Sequence, residues 1–259
     1  MPIKFVQWRS MREEYRRRFV DADEAKKYDA LFVEGEEQSY AFTVLWHFEK
    51  KFLDTIVTEL RATHDTIDYL DFAAGTGRII AHLEDKVDVA TAIEIAPAML
   101  DVAATRVKRA RLLCVDVTEA DTPPEGRYDL ITAFRFFLKA DPQLRLSAMK
   151  ALASRLKDER SLLVFNNHGH APRLPVLRWL WSRPRGAKDS MTDKEVRNLV
   201  RQTGLRIDRV TGYAQVPARI AKIFSATGAR KLEALMSKWP LVPRLGIYQL
   251  YVVRLDRGR

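Results

Sequence analysis

The sequence contains a single cysteine, Cys114, in 259 residues, and this scarcity excludes an internal disulfide. No Cys/His spacing typical of a zinc site occurs, so no metal is expected. No uninterrupted apolar run reaches the roughly 18 residues that a membrane-spanning helix needs. The first residues, MPIKFVQWRSMREEYRRRF, lack the apolar core and cleavage site of a signal peptide. These absences predict a cytoplasmic protein. Cys114 lies within an apolar run, and we expect it to be a buried strand residue.

Acidic residues are scarce in only one part of the chain. Residues 171–259 contain 19 Lys and Arg against 6 Asp and Glu, a net of +13, whereas residues 1–170 contain 25 against 28, a net of −3. The formal net charge of +10 therefore comes entirely from the last third. We expect any partner of that third to be anionic, unless its basic residues only form a solvated surface.

Short apolar runs alternate with helical segments from Ile67 onward. The runs are IDYLDFA, VDVATAIEI, RLLCVDV, YDLITAF and SLLVFNN, followed by LRIDRVTGY and GIYQLYVVRL. Runs that are apolar throughout are typical of strands covered on both faces, and their alternation with helices predicts a parallel sheet with right-handed crossovers. The first 65 residues read as helical, with an amphipathic helix predicted from Val44 to Arg61.

Two close glycines, Gly75 and Gly77, follow the first run in YLDFAAGTGRII. A tight turn between strand and helix explains them, and so does a ligand that approaches the backbone. Glu94 ends the next strand, where a carboxylate can bind both ribose hydroxyls. Asp116 ends the third strand and can bind an exocyclic amine, while the N–H of Val117 can contact an adenine ring nitrogen. The ligand is therefore expected to carry an adenosine.

Two other nucleotide ligands fit the turn less well. The dinucleotide fingerprint G-x-G-x-x-G would need a third glycine where Ile80 stands, which disfavours NAD. A phosphate loop of the Walker type is excluded because no Gly-Lys-Ser/Thr follows the glycines. An adenosine without a pyrophosphate remains the predicted ligand.

With these motifs in this order, residues 67–167 and 190–255 resemble the class I S-adenosylmethionine-dependent methyltransferases. The resemblance implies a Rossmann-like, doubly wound α/β fold of seven strands, the last antiparallel. It also implies an N-terminal helical lid over residues 1–65 and a methyltransferase domain over residues 66–259. The cofactor-binding residues that it implies for S-adenosyl-L-methionine are Tyr28, Asp71, Ala73, Gly75, Gly77, Glu94, Ile95, Met99, Asp116, Val117 and Phe134. The family usually has glycine at the position of Ala73.

The fifth run ends in FNNHGH, beside the expected position of the methyl group. His168 or His170 is the candidate base for a hydroxyl acceptor, although each can also be a structural histidine. Arg135 and Asn167 are candidates for binding the acceptor. For Arg135, a surface role is the alternative to contact with an anionic group.

Two segments, about 169–190 and 214–244, fall outside the regular alternation and share most of the basic excess. Both segments are expected to lie over the active site. Both contain basic and aromatic residues. Such a mixture suits a nucleic acid, an anionic membrane surface contacted peripherally, or an acidic small acceptor. The absence of an RNA-binding module and of an Asn-Pro-Pro-Tyr stretch makes nucleic acid the weaker alternative.

The leading hypothesis is O-methylation of a small-molecule or carbohydrate acceptor that carries phosphate, carboxylate or a lipid. The alternatives are an RNA methyltransferase and a catalytically inactive cofactor-binding protein that serves as a partner of other proteins. Loss of Asp71, Glu94 or Asp116 would favour an inactive protein, and all three are present.

Overall fold

The computed structural model describes residues 40–116, 126–138, 140–168, 191–214, 226–236 and 248–256. Within these ranges the chain forms a seven-stranded sheet with the strand order β3-β2-β1-β4-β5-β7-β6. The strands are β1 (Asp68–Phe72), β2 (Val89–Glu94), β3 (Arg111–Cys114), β4 (Leu130–Ala133), β5 (Leu162–His168), β6 (Leu205–Tyr213) and β7 (Tyr248–Leu255). Six of them lie within one of the seven predicted apolar runs, and β5 extends one residue beyond its run, to His168.

The direction of the strands follows the predicted pattern. The first five are parallel to one another, whereas β7 lies between β5 and β6 and runs antiparallel to both. The strand order reverses between β1 and β4, and open sheets of this kind bind ligands at the carboxyl ends of the strands near such a reversal. The predicted doubly wound fold with an antiparallel last strand is confirmed.

Helices cover both faces of the sheet. They are α1 (Tyr40–Arg61), α2 (Arg78–Leu83), α3 (Pro97–Ala104), α4 (Pro142–Ala153), α5 (Asp193–Gln202) and α6 (Ala226–Met236). On one face α1 and α2 pack with strand residues that include Tyr69 and Leu130. On the other face α4 and α5 pack with strand residues that include Leu70 and Phe165. The glycine turn between β1 and α2 therefore lies against the layer that contains α1.

The helix α1 belongs to the core of the protein. Its side chains Leu45, Leu53, Ile56 and Leu60 are buried at steps of three, four or eight residues, as expected for one face of a helix that packs on a sheet. This burial is more extensive than a lid over the cofactor requires. The domain boundary predicted at residue 65 stays a prediction. The helix α6 lies in the second predicted insertion and contacts α1.

Cys114 is exposed, and its predicted burial is wrong. The reason is the position of β3, which lies at the edge of the sheet and has exposed residues at both of its ends. An apolar run does not distinguish a central strand from an edge strand, because strand burial depends on which neighbours the fold supplies. The thiol lies 3.7 Å from the carbonyl oxygen of Ile95.

Candidate active site

The glycine turn has one open side and one closed side. Gly75 has φ +56°, and a Cβ added there would meet no atom within 4 Å. Gly77 has φ +77°, and its added Cβ would lie 2.8 Å from the Cβ of Ala103 in α3. Gly77 therefore permits close packing of the turn against α3, while Gly75 leaves room for a ligand at the backbone. Ala73 adopts φ +54°, a left-handed conformation that explains why glycine is usual at this position.

Glu94 connects the end of β2 to the glycine turn. One carboxylate oxygen accepts a hydrogen bond from the Gly75 N–H at 2.9 Å. The other accepts from the N–H groups of Ile95 at 2.8 Å and Ala96 at 3.1 Å. Burial raises the pKa of Glu94, and these three backbone donors oppose the shift. The predicted ribose-binding acid thus lies in direct contact with the predicted cofactor turn.

Asp71 supports the turn from beneath. Its side chain is buried, and its two oxygens accept from Thr132 Oγ1 at 2.7 Å and from the Ile80 N–H at 3.1 Å. The Tyr69 hydroxyl then donates to Thr132 Oγ1 at 2.6 Å. Since the N-cap residue of α2 is Gly77, which has no side chain, Asp71 caps that helix from the neighbouring strand. Burial is the main reason that the pKa of Asp71 rises to about 7. This geometry gives Asp71 an indirect role in the predicted cofactor site.

Three further predicted cofactor residues lie near the ends of β2 and β3. Ile95 is 41% exposed, which is unusual for a large aliphatic side chain. Met99 is buried in a small cluster with Ala96 and partly buried residues of α3. Asp116 is half-buried and follows β3 by two residues. The described part of the predicted adenosine site therefore includes the Glu94 carboxylate and, next to it in the chain, an exposed aliphatic side chain.

The turn after β4 presents one partly exposed side chain. Phe134 is buried, as are Phe136, Phe137 and Leu138, whereas Arg135 is half-buried. Arg135 adopts φ +63°, and its N–H donates to the Asn166 side-chain oxygen at 2.7 Å. Its guanidinium carbon lies 6.0 Å from the centre of the Tyr248 ring. A left-handed conformation at a non-glycine residue persists only where neighbouring groups enforce it.

His168 lies at the carboxyl end of β5, opposite Tyr248 in the antiparallel ladder. It is 7% exposed, and the two ring centres are 4.9 Å apart. Asn167 is fully buried, and its amide donates to the Met191 carbonyl at 2.7 Å. Because successive strand residues point to opposite faces, His168 and Asn167 do not share a face. This geometry favours a structural role for Asn167 over the predicted acceptor contact.

A buried polar group that sequence analysis did not identify joins α1 to both sides of the site. The Glu49 carboxylate accepts from Arg78 Nη1 at 2.8 Å and from the Tyr213 hydroxyl at 2.8 Å. A signal was available, because Glu49 occupies the apolar stripe of α1 between Leu45 and Leu53. A charged residue at such a position is almost never fully buried unless it is paired.

Several predicted site residues lie outside the part of the chain that the structure describes. These residues are Tyr28, Val117 and His170, together with most of the insertions 169–190 and 214–244. Among the described residues, no group of His, Cys, Asp and Glu side chains is arranged to hold a metal ion. No helix within the described ranges combines the length and the apolar character of a bilayer-spanning segment.

Known proteins share this fold. A family model described as a methyltransferase domain matches residues 45–210. A magnesium protoporphyrin IX methyltransferase from Synechocystis PCC 6803, solved with bound SAH, superposes with a TM-score of 0.63 at 14% identity, covering 95% of this chain and 100% of that chain. A TehB-like SAM-dependent methyltransferase from Corynebacterium glutamicum gives a TM-score of 0.57 at 16% identity, covering 91% of this chain and 97% of that chain.

The same fold also carries another kind of reaction. The [4+2]-cyclase SpnF superposes with a TM-score of 0.53 at 15% identity, covering 81% of each chain. No curated protein matches the sequence significantly. At such low identities the solved structures establish the fold, whereas the acceptor has to be argued from the side chains of the site.

Proposed function

The chain belongs to the S-adenosylmethionine-dependent methyltransferases, as its motifs predicted, and from this premise we propose that it methylates a hydroxyl group of a small-molecule or carbohydrate acceptor. S-adenosylmethionine is the cofactor, which supplies a methyl group already activated by the adjacent sulfonium. Gly75 leaves space at the backbone for it, and Glu94 lies beside the turn with its carboxylate oriented by three N–H groups. The residues present therefore fit the cofactor.

The position of His168 is the observation that supports a hydroxyl acceptor. It ends β5, two strands from β1 and its glycine turn, and it is held against Tyr248 by the pairing of β5 with β7. An imidazole can accept a proton near neutral pH. Bound at the glycine turn, the cofactor would supply a methyl group for transfer to the acceptor oxygen and would leave as S-adenosylhomocysteine, and His168 would take up the proton of the acceptor hydroxyl. The remaining requirement is alignment of acceptor and methyl group.

Arg135 supports an anionic group on the acceptor. Its guanidinium lies on the same side of the sheet as Tyr248, next to the proposed base. A guanidinium in such a position can bind carboxylate or phosphate through two parallel hydrogen bonds. The excess of basic residues after position 170 favours the same class of acceptor, including sugars or lipids that carry phosphate or carboxylate.

The first experiment is a titration calorimetry measurement with S-adenosylmethionine, S-adenosylhomocysteine and, as a control, NAD. We expect micromolar binding of the first two and none of NAD. Formation of S-adenosylhomocysteine is then measured with a panel of hydroxylated acids, sugar phosphates and lipid-linked sugars. Because this fold also supports a cyclase, turnover with at least one hydroxyl acceptor is required, and cofactor binding without turnover on any acceptor would favour the inactive alternative.

The role of His168 is tested with His168→Gln and a matched control, His64→Gln. The His64 side chain is also largely buried, but its Nε2 lies 3.8 Å from Asp129, which directly precedes β4, at the amino-terminal end of the parallel strands and therefore opposite the end that carries His168. We expect His168→Gln to lower kcat at least a hundredfold with the cofactor affinity unchanged, and His64→Gln to leave kcat within twofold. Equal activity of both variants would remove His168 from the mechanism. Salt-sensitive retention of RNA at physiological ionic strength would instead favour the RNA methyltransferase.

A further inference from the structure

The buried carboxylate of Glu49 joins two separate parts of the active site. Arg78, which donates to one oxygen, directly follows Gly77 and opens α2. Tyr213, which donates to the other oxygen, ends β6 at the far edge of the sheet. Since Glu49 itself belongs to α1, three elements that are distant in sequence meet at one side chain. Glu49 is fully buried, so it is not in a position to touch the acceptor directly.

The hydrogen-bonded chain continues from Tyr213 to the proposed acceptor side. The Asn166 side-chain nitrogen donates to the Tyr213 hydroxyl oxygen at 3.4 Å, and the Asn166 oxygen accepts from the Arg135 N–H. Tyr213 and Asn166 are both fully buried. An unbroken series of hydrogen bonds therefore runs from the start of α2 through Glu49 to the backbone of the turn that carries Arg135.

Aromatic side chains of α1 hold the two donors to Glu49 in place. The guanidinium carbon of Arg78 lies 4.1 Å from the centre of the Trp46 ring, within the range of a cation–π contact. The Tyr213 ring stacks on Phe48, with ring centres 5.0 Å apart and planes at 10°. Because one helix supplies both aromatic contacts and the carboxylate between them, neither donor can move without disturbing α1.

We propose that Glu49 is a positioning residue that couples the cofactor turn to the end of β6 and the acceptor side. If either Arg78 or Tyr213 moved away, the buried charge of Glu49 would lose part of its compensation. The hydrogen bonds of Glu49 are therefore expected to form together or to break together. A ligand that orders the glycine turn through α2 thereby orders the end of β6 as well. This inference depends on the proposed function in one respect, because it requires S-adenosylhomocysteine to bind at the glycine turn.

The first test is the affinity for S-adenosylhomocysteine of the full chain and its Glu49→Gln variant. Glutamine keeps the size of the side chain but replaces one of the two acceptor oxygens by an N–H donor, so it cannot accept at both positions from Arg78 and from the Tyr213 hydroxyl. The variant therefore removes the charge and breaks the series of hydrogen bonds at one of its two ends. We expect the dissociation constant to rise at least tenfold.

A matched control is available in the same helix. Glu59 of α1 also binds β6, through two hydrogen bonds of 2.9 Å from Arg209, but it lies ten residues from Glu49 and has no contact with the glycine turn. We expect Glu59→Gln to leave the affinity for S-adenosylhomocysteine within twofold. Glu59 is exposed, so this variant shows the effect of losing an ion pair between α1 and β6 away from the glycine turn.

The second test is amide hydrogen exchange with and without S-adenosylhomocysteine. In the unmodified protein we expect the ligand to slow exchange in residues 73–80 and also in residues 205–213, where β6 is an edge strand with exchangeable amides. In Glu49→Gln the ligand should slow exchange only in residues 73–80, whereas in Glu59→Gln it should slow exchange in both ranges. Tyr213→Phe provides a second variant should Glu49→Gln fail to fold, with the same loss of response in β6.

The outcomes separate the two proposals. If the unmodified protein does not bind S-adenosylhomocysteine, the cofactor assignment fails. If it binds, but β6 shows no ligand-dependent protection, the coupling through Glu49 is refuted. Unchanged affinity and unchanged β6 protection in Glu49→Gln would also refute it, with the cofactor assignment intact.

Discussion

The substitution Asp71→Asn should remove a large part of the dependence of stability on pH. The carboxyl group is buried beneath the glycine turn, and burial raises its pKa from 3.8 to about 7. The folded protein therefore holds this proton more tightly than the unfolded chain does. Whenever the folded state binds more protons, stability falls as the pH rises, here from the pKa of the unfolded chain up to that of the folded protein.

The size of the effect follows from the difference between the two pKa values. A difference of about three units corresponds to about 4 kcal/mol at about 1.36 kcal/mol for each unit. Of this total, about 2.5 kcal/mol is lost between about pH 5 and pH 8. Such a change is a large fraction of the stability of an ordinary domain.

Asparagine suits the site because the hydrogen bonds can rearrange around it. Its oxygen can accept from the Ile80 N–H, and its nitrogen can donate to Thr132 Oγ1, whose hydroxyl then donates to the Tyr69 oxygen. Urea unfolding of both proteins from about pH 5 to pH 8 measures the difference in the free energy of unfolding, and titrations common to both proteins cancel. We expect Asp71→Asn to gain about 2.5 kcal/mol relative to the unmodified protein over this range. Parallel curves would refute the raised pKa of Asp71.

Three further predictions concern the turn, the cofactor and a helix cap. Gly77→Ala should lower the free energy of unfolding by about 2 kcal/mol or more, because the new Cβ would clash with Ala103 and because φ at this position is positive. Urea unfolding measures this loss, and Gly75→Ala, which has a positive φ but no clash, should show a smaller one. Glu94→Ala should weaken S-adenosylmethionine binding at least tenfold in calorimetry, and an unchanged affinity would contradict the assigned ribose contact. Thr192→Ala should cost about 1 kcal/mol by removing the capping box of α5, with no change in cofactor affinity.

Sequence patterns predicted the strands well because their signal is local. Each apolar run between turn residues became a strand, and the glycine pair became the turn that their spacing indicated. Thr192 and Glu195 have the sequence spacing of a capping box, and they form both of its hydrogen bonds. In these places the neighbouring residues in the chain decide the structure, so a single sequence is sufficient.

The errors and omissions concern side chains whose surroundings depend on the tertiary fold. Cys114 is exposed because β3 ends the sheet, which its own run does not reveal. Asn167 and His168 are neighbours in the motif, yet strand alternation sends them to opposite faces. The position of Glu49 in the apolar stripe of α1 was a local signal of burial, but its partners, Arg78 and Tyr213, lie 29 and 164 residues away. No local pattern identifies contacts at such separations.

The antiparallel strand β7 has a consequence for how the protein is made. Of the seven strands it comes last in chain order, yet it lies between β5 and β6 and, among the residues that the structure describes, is the only neighbour of β6 in the sheet. During synthesis β6 therefore emerges before any strand with which it can pair. Until residues 248–255 are available, β5 and β6 each present an unpaired edge, a state in which strands tend to associate with other chains. The sheet can be completed, and His168 can pack against Tyr248, only after that segment has been synthesised.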